Sequence, residues 1–160
     1  MLDMYARLCI ERLAHLARQF PAVLVLGARQ VGKTTLARQA FGAYAYLDME
    51  DMATYALFAE DPRFQLDARA GRGLILDEAQ RLPSLFDALR GAIDDDRQRR
   101  GRFVILGSSQ PSLVRQVAES LAGPQTLMGP MIHSACVESW EVETGKGDER
   151  RMVEQRRDFL

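Results

Sequence analysis

Cysteine is scarce. Cys9 and Cys136 are the two in 160 residues, and they lie far apart. A disulfide framework is excluded, and two reduced thiols are expected. No apolar run approaches the roughly 18 residues that a membrane-spanning helix needs. The N-terminal stretch "MLDMYARLCIERLAHLARQF" carries Arg7, Glu11 and Arg12 inside its apolar pattern, which excludes a signal-peptide core. Net charge is small: 21 basic and 22 acidic residues leave −1. That balance points neither to a nucleic-acid patch nor to an acidic tail. The two histidines, His15 and His133, have no companions at metal-ligand spacing. There is no internal repeat and no low-complexity linker. The expectation is one domain with one core, in the cytoplasm, with no membrane or nucleic-acid partner.

What is present is an alternation of two periods. Residues 3–18 predict an amphipathic helix, with Asp3 as its N-cap and Pro21 as its stop. "AVLVLG" (22–27) predicts a buried strand and "KTTLARQAF" (33–41) a helix closed by Gly42. "AYAYLDME" (43–50) predicts a second strand, and "MATYALFAE" (52–60) a helix ended by Asp61-Pro62. "GLILDEAQ" carries a third strand, Pro83 opens the next helix, "RFVILGSS" (102–109) is a fourth strand and 111–123 a helix. Strands alternating with helices predict βαβ units and a parallel sheet covered on both faces. The runs "AVLVL", "LIL" and "FVIL" are apolar throughout, as central parallel strands should be. From Glu138 onward 12 of 23 residues are charged, so the end of the chain is expected to be solvated.

The first strand runs into "GARQVGKTT". Gly27, four residues, then Gly32-Lys33-Thr34 fit G-x-x-x-x-G-K-[ST]. With glycine near 7% of residues, such a match arises by chance in roughly one chain of this length in a few hundred. Here a strand precedes it and a helix follows, as the motif requires. Each residue type has a physical task. Gly27 is expected to let the chain leave the strand in a conformation that a Cβ would obstruct, and Gly32 to let the backbone approach a phosphate. The amides of Ala28, Arg29, Gln30, Val31 and Gly32 would form an anion nest, at the positive end of the following helix. Lys33 would reach the β- and γ-phosphates, Thr34 would ligate Mg²⁺, and Thr35 would serve the first helical turn or the α-phosphate. Arg29 and Gln30 would touch phosphate or a neighbouring subunit, or face solvent.

The third strand ends in Asp77-Glu78. A carboxylate at the C-terminal end of a buried strand faces the rim where ligands bind. Asp77 would hold Mg²⁺ through water, opposite Thr34, and Glu78 would act as base on the attacking water. After the fourth strand, Ser109 or Ser108 would sense the γ-phosphate, or cap the helix that begins at Pro111. Asp48, Glu50 and Asp51 end the second strand near the same rim, as ligands for water or metal or as helix caps.

Taken together, "GARQVGKTTL" (27–36), "YLDMED" (46–51), "DPRF" (61–64), "LILDEAQRLPSLFDAL" (74–89), "ILGSSQPSL" (105–113) and "ESLAG" (119–123) carry a resemblance. The chain resembles the prokaryotic AAA-type ATPases whose full-length members join an N-terminal ATPase domain to a C-terminal domain of unknown function. The resemblance covers roughly residues 1–123. It implies an α/β phosphate-loop NTPase of additional-strand type, with four or five parallel strands between helices. It also implies ATP and Mg²⁺ as ligands and a catalytic glutamate. Family members continue the "SLAG" segment with an arginine, whereas here Pro124 follows Gly123. Residues 124–160 are therefore expected to be a divergent, partly disordered tail of a truncated or frame-disrupted copy. If the missing arginine serves the γ-phosphate, its loss lowers hydrolysis by about 10³–10⁵-fold. The expected function is a slow Mg²⁺-dependent ATPase using Lys33, Glu78 and Ser109. The alternative is a nucleotide-binding interaction module with little hydrolysis. A protein partner or a second copy of the chain is the expected company in either case, and a small-molecule kinase is disfavoured for want of an arginine-rich lid.

Overall fold

The structure, a computed structural model, describes residues 2–108. The helix expected at 111–123, Ser109 and the residues after Gly123 lie outside the described residues. The chain runs α1 (Leu2–Gln19), β1 (Ala22–Gly27), α2 (Lys33–Ala40), β2 (Ala45–Asp48), α3 (Met52–Glu60), α4 (Pro62–Asp67) and β3 (Leu74–Asp77). A short 3-10 turn (Ala79–Arg81), α5 (Ser84–Asp95) and β4 (Phe103–Ser108) follow. The four strands form one parallel sheet in the order β1-β4-β3-β2. The last strand of the described chain thus sits between the first and the third. This is the additional-strand arrangement of phosphate-loop NTPases.

Strand side chains alternate between faces, and the two cores follow that period. Leu24, Leu26, Leu74, Leu76, Phe103 and Ile105 face α3, α4 and α5, against Phe58, Leu66, Leu85, Phe86 and Leu89. Val23, Val25, Ile75, Val104 and Leu106 face α1 and α2, against Leu13, Leu16, Ala37 and Phe41. Because helices cover both faces, both parities of β1, β3 and β4 must be apolar, and these strands are buried along their whole length. β2 is only half-buried. α5 forms because Leu85, Phe86, Leu89, Ala92 and Ile93 recur as one stripe and bury together.

Three elements differ most from the sequence expectation. Pro62 does not simply end a helix: it opens α4 from the first helical turn, with Asp61 as cap, Oδ1 accepting from Phe64 N at 2.9 Å. Proline has no N–H to satisfy and a preset φ, so this position suits it. α1 already includes Leu2, so Asp3 lies inside the helix rather than capping it. The strand expected at 43–50 is shorter, Ala45–Asp48. Gly73 precedes β3 because a Cβ there would fall 2.3 Å from the Tyr44 ring. That ring is held by its hydroxyl, which donates to Gly101 O at 2.7 Å. Among the described residues no helix is long and apolar enough to cross a membrane.

Candidate functional site

Parallel strands in register bring their C-terminal ends to one rim. Gly27 pairs with Ser108 and Asp48 with Asp77, so four strand ends meet there. The loop 28–32 leaves β1 at this rim and enters α2. Its left-handed residues are Gln30 (φ 65°) and Gly32 (φ 87°). Gly27 is not one of them: it stays in the β1 ladder, so the turn is made further on than the sequence suggested. A Cβ on Gly32 would meet no protein atom within 4 Å. Open space adjoins the loop there, and the left-handed φ explains the glycine.

Lys33 begins α2 and is only 5% exposed. Its Nζ donates to Gly27 O at 3.1 Å and Ala28 O at 2.7 Å, which uses two of three N–H bonds. Burial pushes its pKa below the ordinary lysine value, and the nearby carboxylates of Glu78 and Asp77 offset part of that. Thr34 Oγ1 donates to Asp77 Oδ2 at 2.6 Å, joining the start of α2 to the end of β3. Tyr46 Oη donates to the same oxygen at 2.8 Å, and Glu78 N donates to Asp77 Oδ1 at 2.9 Å. Among the described residues Asp77, 4% exposed, thus has three donors and no paired cation at its oxygens. Burial, and next the bond to Asp77, push the Tyr46 phenol upward, so the proton stays on Tyr46. Arg38 stacks over the Tyr46 ring, 3.9 Å from its centroid.

Glu78 has φ 49°, a left-handed conformation uncommon for a residue with a Cβ. The turn carries the chain out of β3 into the 3-10 turn, where Gln80 Nε2 donates to Glu78 Oε2. Gln80 Oε1 is buried and has no hydrogen-bond partner among the described residues. Arg29 is exposed and pairs with Glu50 at 2.7 Å, and Arg81 approaches the same carboxylate at 3.5 Å. Three rim loops therefore share one acidic side chain.

The described rim thus gathers Gly27, Lys33, Thr34, Asp77 and Glu78. Ala28, Arg29, Gln30, Gly32 and Thr35 are exposed, and Val31 is half-buried. Ser108 ends β4 buried beside Gly27, and Ser109 lies outside the described residues. Asp51 caps α3, accepting from Thr54 N at 2.8 Å, and Asp48 accepts from Glu50 N at 2.8 Å. Tyr46 and Gln80 escaped the sequence reading. The alternation of Tyr44, just before β2, and Tyr46 within it marks one face, but no local pattern says that β2 lies beside β3. The donor set suits a hydrated Mg²⁺: a hydroxyl and a carboxylate, both hard oxygens, 2.6 Å apart. Among the described residues no cluster of three His, Cys, Asp or Glu side chains could hold a metal by itself. A metal here would need further oxygens, such as those of a phosphate.

A family model described as an AAA domain matches residues 19–132. Two curated relatives, an uncharacterized protein of Mycobacterium bovis and one of Mycobacterium tuberculosis, are each 40% identical over 114 residues. Those residues are 70% of this chain and 25% of each relative. The chain therefore spans about a quarter of the length of the curated relatives it matches. With its strand order, its rim and this match, the chain belongs to the AAA domain family, a family of nucleotide-binding AAA-type ATPases.

Proposed function

We propose that this chain binds ATP with Mg²⁺ at the rim and hydrolyses it slowly. One observation carries the reading: Thr34 Oγ1 and Asp77 Oδ2 lie 2.6 Å apart, although 43 positions separate them in the chain. A hydroxyl at the head of α2 and an acid at the end of β3 have no local reason to meet. A shared Mg²⁺–phosphate site supplies one.

The loop amides of residues 28–32 and the N-terminal end of α2 would receive phosphate oxygens. Lys33 Nζ keeps one N–H for a phosphate oxygen while two carbonyls hold it in place. Thr34 donates its proton to Asp77, which leaves its lone pairs free for a cation. Mg²⁺, when bound, would neutralise phosphate charge. Glu78 would take a proton from water as the water oxygen bonds to the γ-phosphorus and the bridging oxygen leaves with ADP. Ser109 would touch the γ-phosphate from beyond β4.

Binding of a fluorescent ATP analogue and phosphate release by the purified chain test this. Lys33→Ala should weaken binding at least about tenfold, the effect of losing a charged hydrogen bond. Glu78→Gln should keep binding and lower phosphate release by about 100-fold or more, the contribution of a positioned general base. A parent protein that binds no nucleotide would defeat the proposal. The second reading, binding without turnover, is favoured by the Gln80 amide that already engages one oxygen of Glu78. Tight binding with no phosphate release would select it.

A further inference from the structure

We propose that Tyr46 is a positioning residue for Mg²⁺: its hydroxyl holds the carboxylate of Asp77 in the orientation that receives the metal. This rests on the Mg²⁺–nucleotide reading above. Tyr46 lies on β2, and β2 is hydrogen-bonded only to β3 among the described strands. Its ring is half-buried against the core under α1 and α2, on the same face as Ile75. A phenylalanine would fill that place and accept the same stacked Arg38. What tyrosine adds is one proton, and that proton goes to Asp77 Oδ2 at 2.8 Å.

Asp77 needs such help. A carboxylate at the end of a strand turns about its side-chain bonds unless donors fix it. Glu78 N fixes Oδ1 from within the chain, and Thr34 and Tyr46 fix Oδ2 from two other elements. When a cation draws on the lone pairs of Thr34, the Thr34 bond to Asp77 must adjust. Tyr46 has no part in receiving the cation, so its bond can stay. A cation over an aromatic ring also makes the phenol a stronger donor, and Arg38 sits there at 3.9 Å. The hydroxyl of Tyr46 therefore acts through Asp77 and touches neither nucleotide nor metal.

The test measures affinity rather than turnover. A fluorescent ATP analogue is titrated into the 160-residue parent, Tyr46→Phe and Asp77→Asn, with Mg²⁺ and with a chelator. The parent should bind more tightly with Mg²⁺. Tyr46→Phe should lose about tenfold of that Mg²⁺-dependent gain, the low end of what partners of a metal ligand contribute. Its affinity in chelator should equal the parent's, because Lys33 and the loop are untouched. Asp77→Asn sets the largest loss obtainable. A full Mg²⁺-dependent gain in Tyr46→Phe overturns the inference and leaves the proposed function standing. A larger gain than the parent's overturns it too, because the hydroxyl would then compete with the metal. Loss of the melting transition, or equal weakening with and without Mg²⁺, would make Tyr46 a packing residue and also overturn it. A parent that binds no nucleotide in either buffer removes the proposed function and this inference together.

Discussion

At the residue scale, the guanidinium of Arg102 meets a helix end that lacks a partner. Asp96 N turns to Ile93 O at 3.2 Å, so the carbonyl of Ala92 is left to Arg102 Nη1, which donates to it. The side chain is 8% exposed and lies 4.9 Å from the centroid of Phe103. Burial pushes its pKa below the ordinary arginine value, so the charge is held at a desolvation cost. Two gains oppose that cost: a charge-assisted bond to a carbonyl without a helical amide, and a cation at the negative end of α5. Arg102→Met keeps the apolar stem and removes both gains. We expect it to destabilise the fold by about 1–2 kcal/mol in urea melts, the range for such a bond. Unchanged or greater stability would mean that the desolvation cost is the larger quantity. The mixed-sign run "DDDRQRRGR" (94–102) suggests a solvated helix end and turn, yet its last residue, Arg102, is buried. Nothing local reveals that one arginine of a mixed run enters the core. That Lys33, Thr34 and Asp77 would reach one rim was legible, because the motif spacing and the flanking strands are local facts. The hydroxyl of Tyr46 was not, because its meaning depends on which strand lies next to β2.

At the scale of elements, α3 and α4 meet at one residue. Asp61 is the C-cap of α3 and the N-cap of α4, and its carboxylate receives the amide of Phe64. α4 is 6 residues long, too short to hold itself by propensity. Its place depends on Leu66, buried in the core, on the cap, and on Arg63, which joins Asp67 and Asp95 across to α5. Those ion pairs are exposed and contribute little. Asp61→Ala should therefore cost about 1 kcal/mol, the usual worth of such a cap, and Asp61→Asn should restore most of it. Equal urea midpoints for parent and Asp61→Ala would show that Leu66 alone holds the helix. The same residue explains why α4 was not foreseen. Asp-Pro after a helical run signals a stop, and it is also a start when an apolar residue follows at the right distance. Periodicity cannot choose over 6 residues. α3, at 9 residues, has the bounds expected of it, and β1 spans "AVLVLG" because an unbroken apolar run between Pro21 and the loop reads as a buried strand without any appeal to period.

At the scale of the molecule, the strand order decides what a ligand would do to stability. Pattern alone gave parallel strands with helices on both faces, because alternation is written along the chain. It could not give the insertion of β4 between β1 and β3, since pairing partners about 80 residues apart leave no mark on local period. That the order is of additional-strand type came from the resemblance. Its consequence is physical. The loop 28–32 continues β1, whereas Asp77 ends β3, and β4 separates them. A ligand held by Lys33, Thr34 and Asp77 would tie together strands that share no ladder. Unfolding of either would release it, so binding should stabilise the described domain as a unit rather than one loop. Linkage gives about 2.7 kcal/mol at a ligand concentration 100 times Kd. For a chain of this size that is a rise of about 5–10 °C in Tm. MgATP should produce such a shift in a single melting transition. ATP with chelator should produce less, and Lys33→Ala should show almost none. A sharp transition that stays fixed at saturating MgATP would deny that the rim binds nucleotide. A shift confined to a minor early phase would locate binding in a part that melts apart from the sheet, which the separation of β1 from β3 by β4 does not allow for a ligand held at both ends.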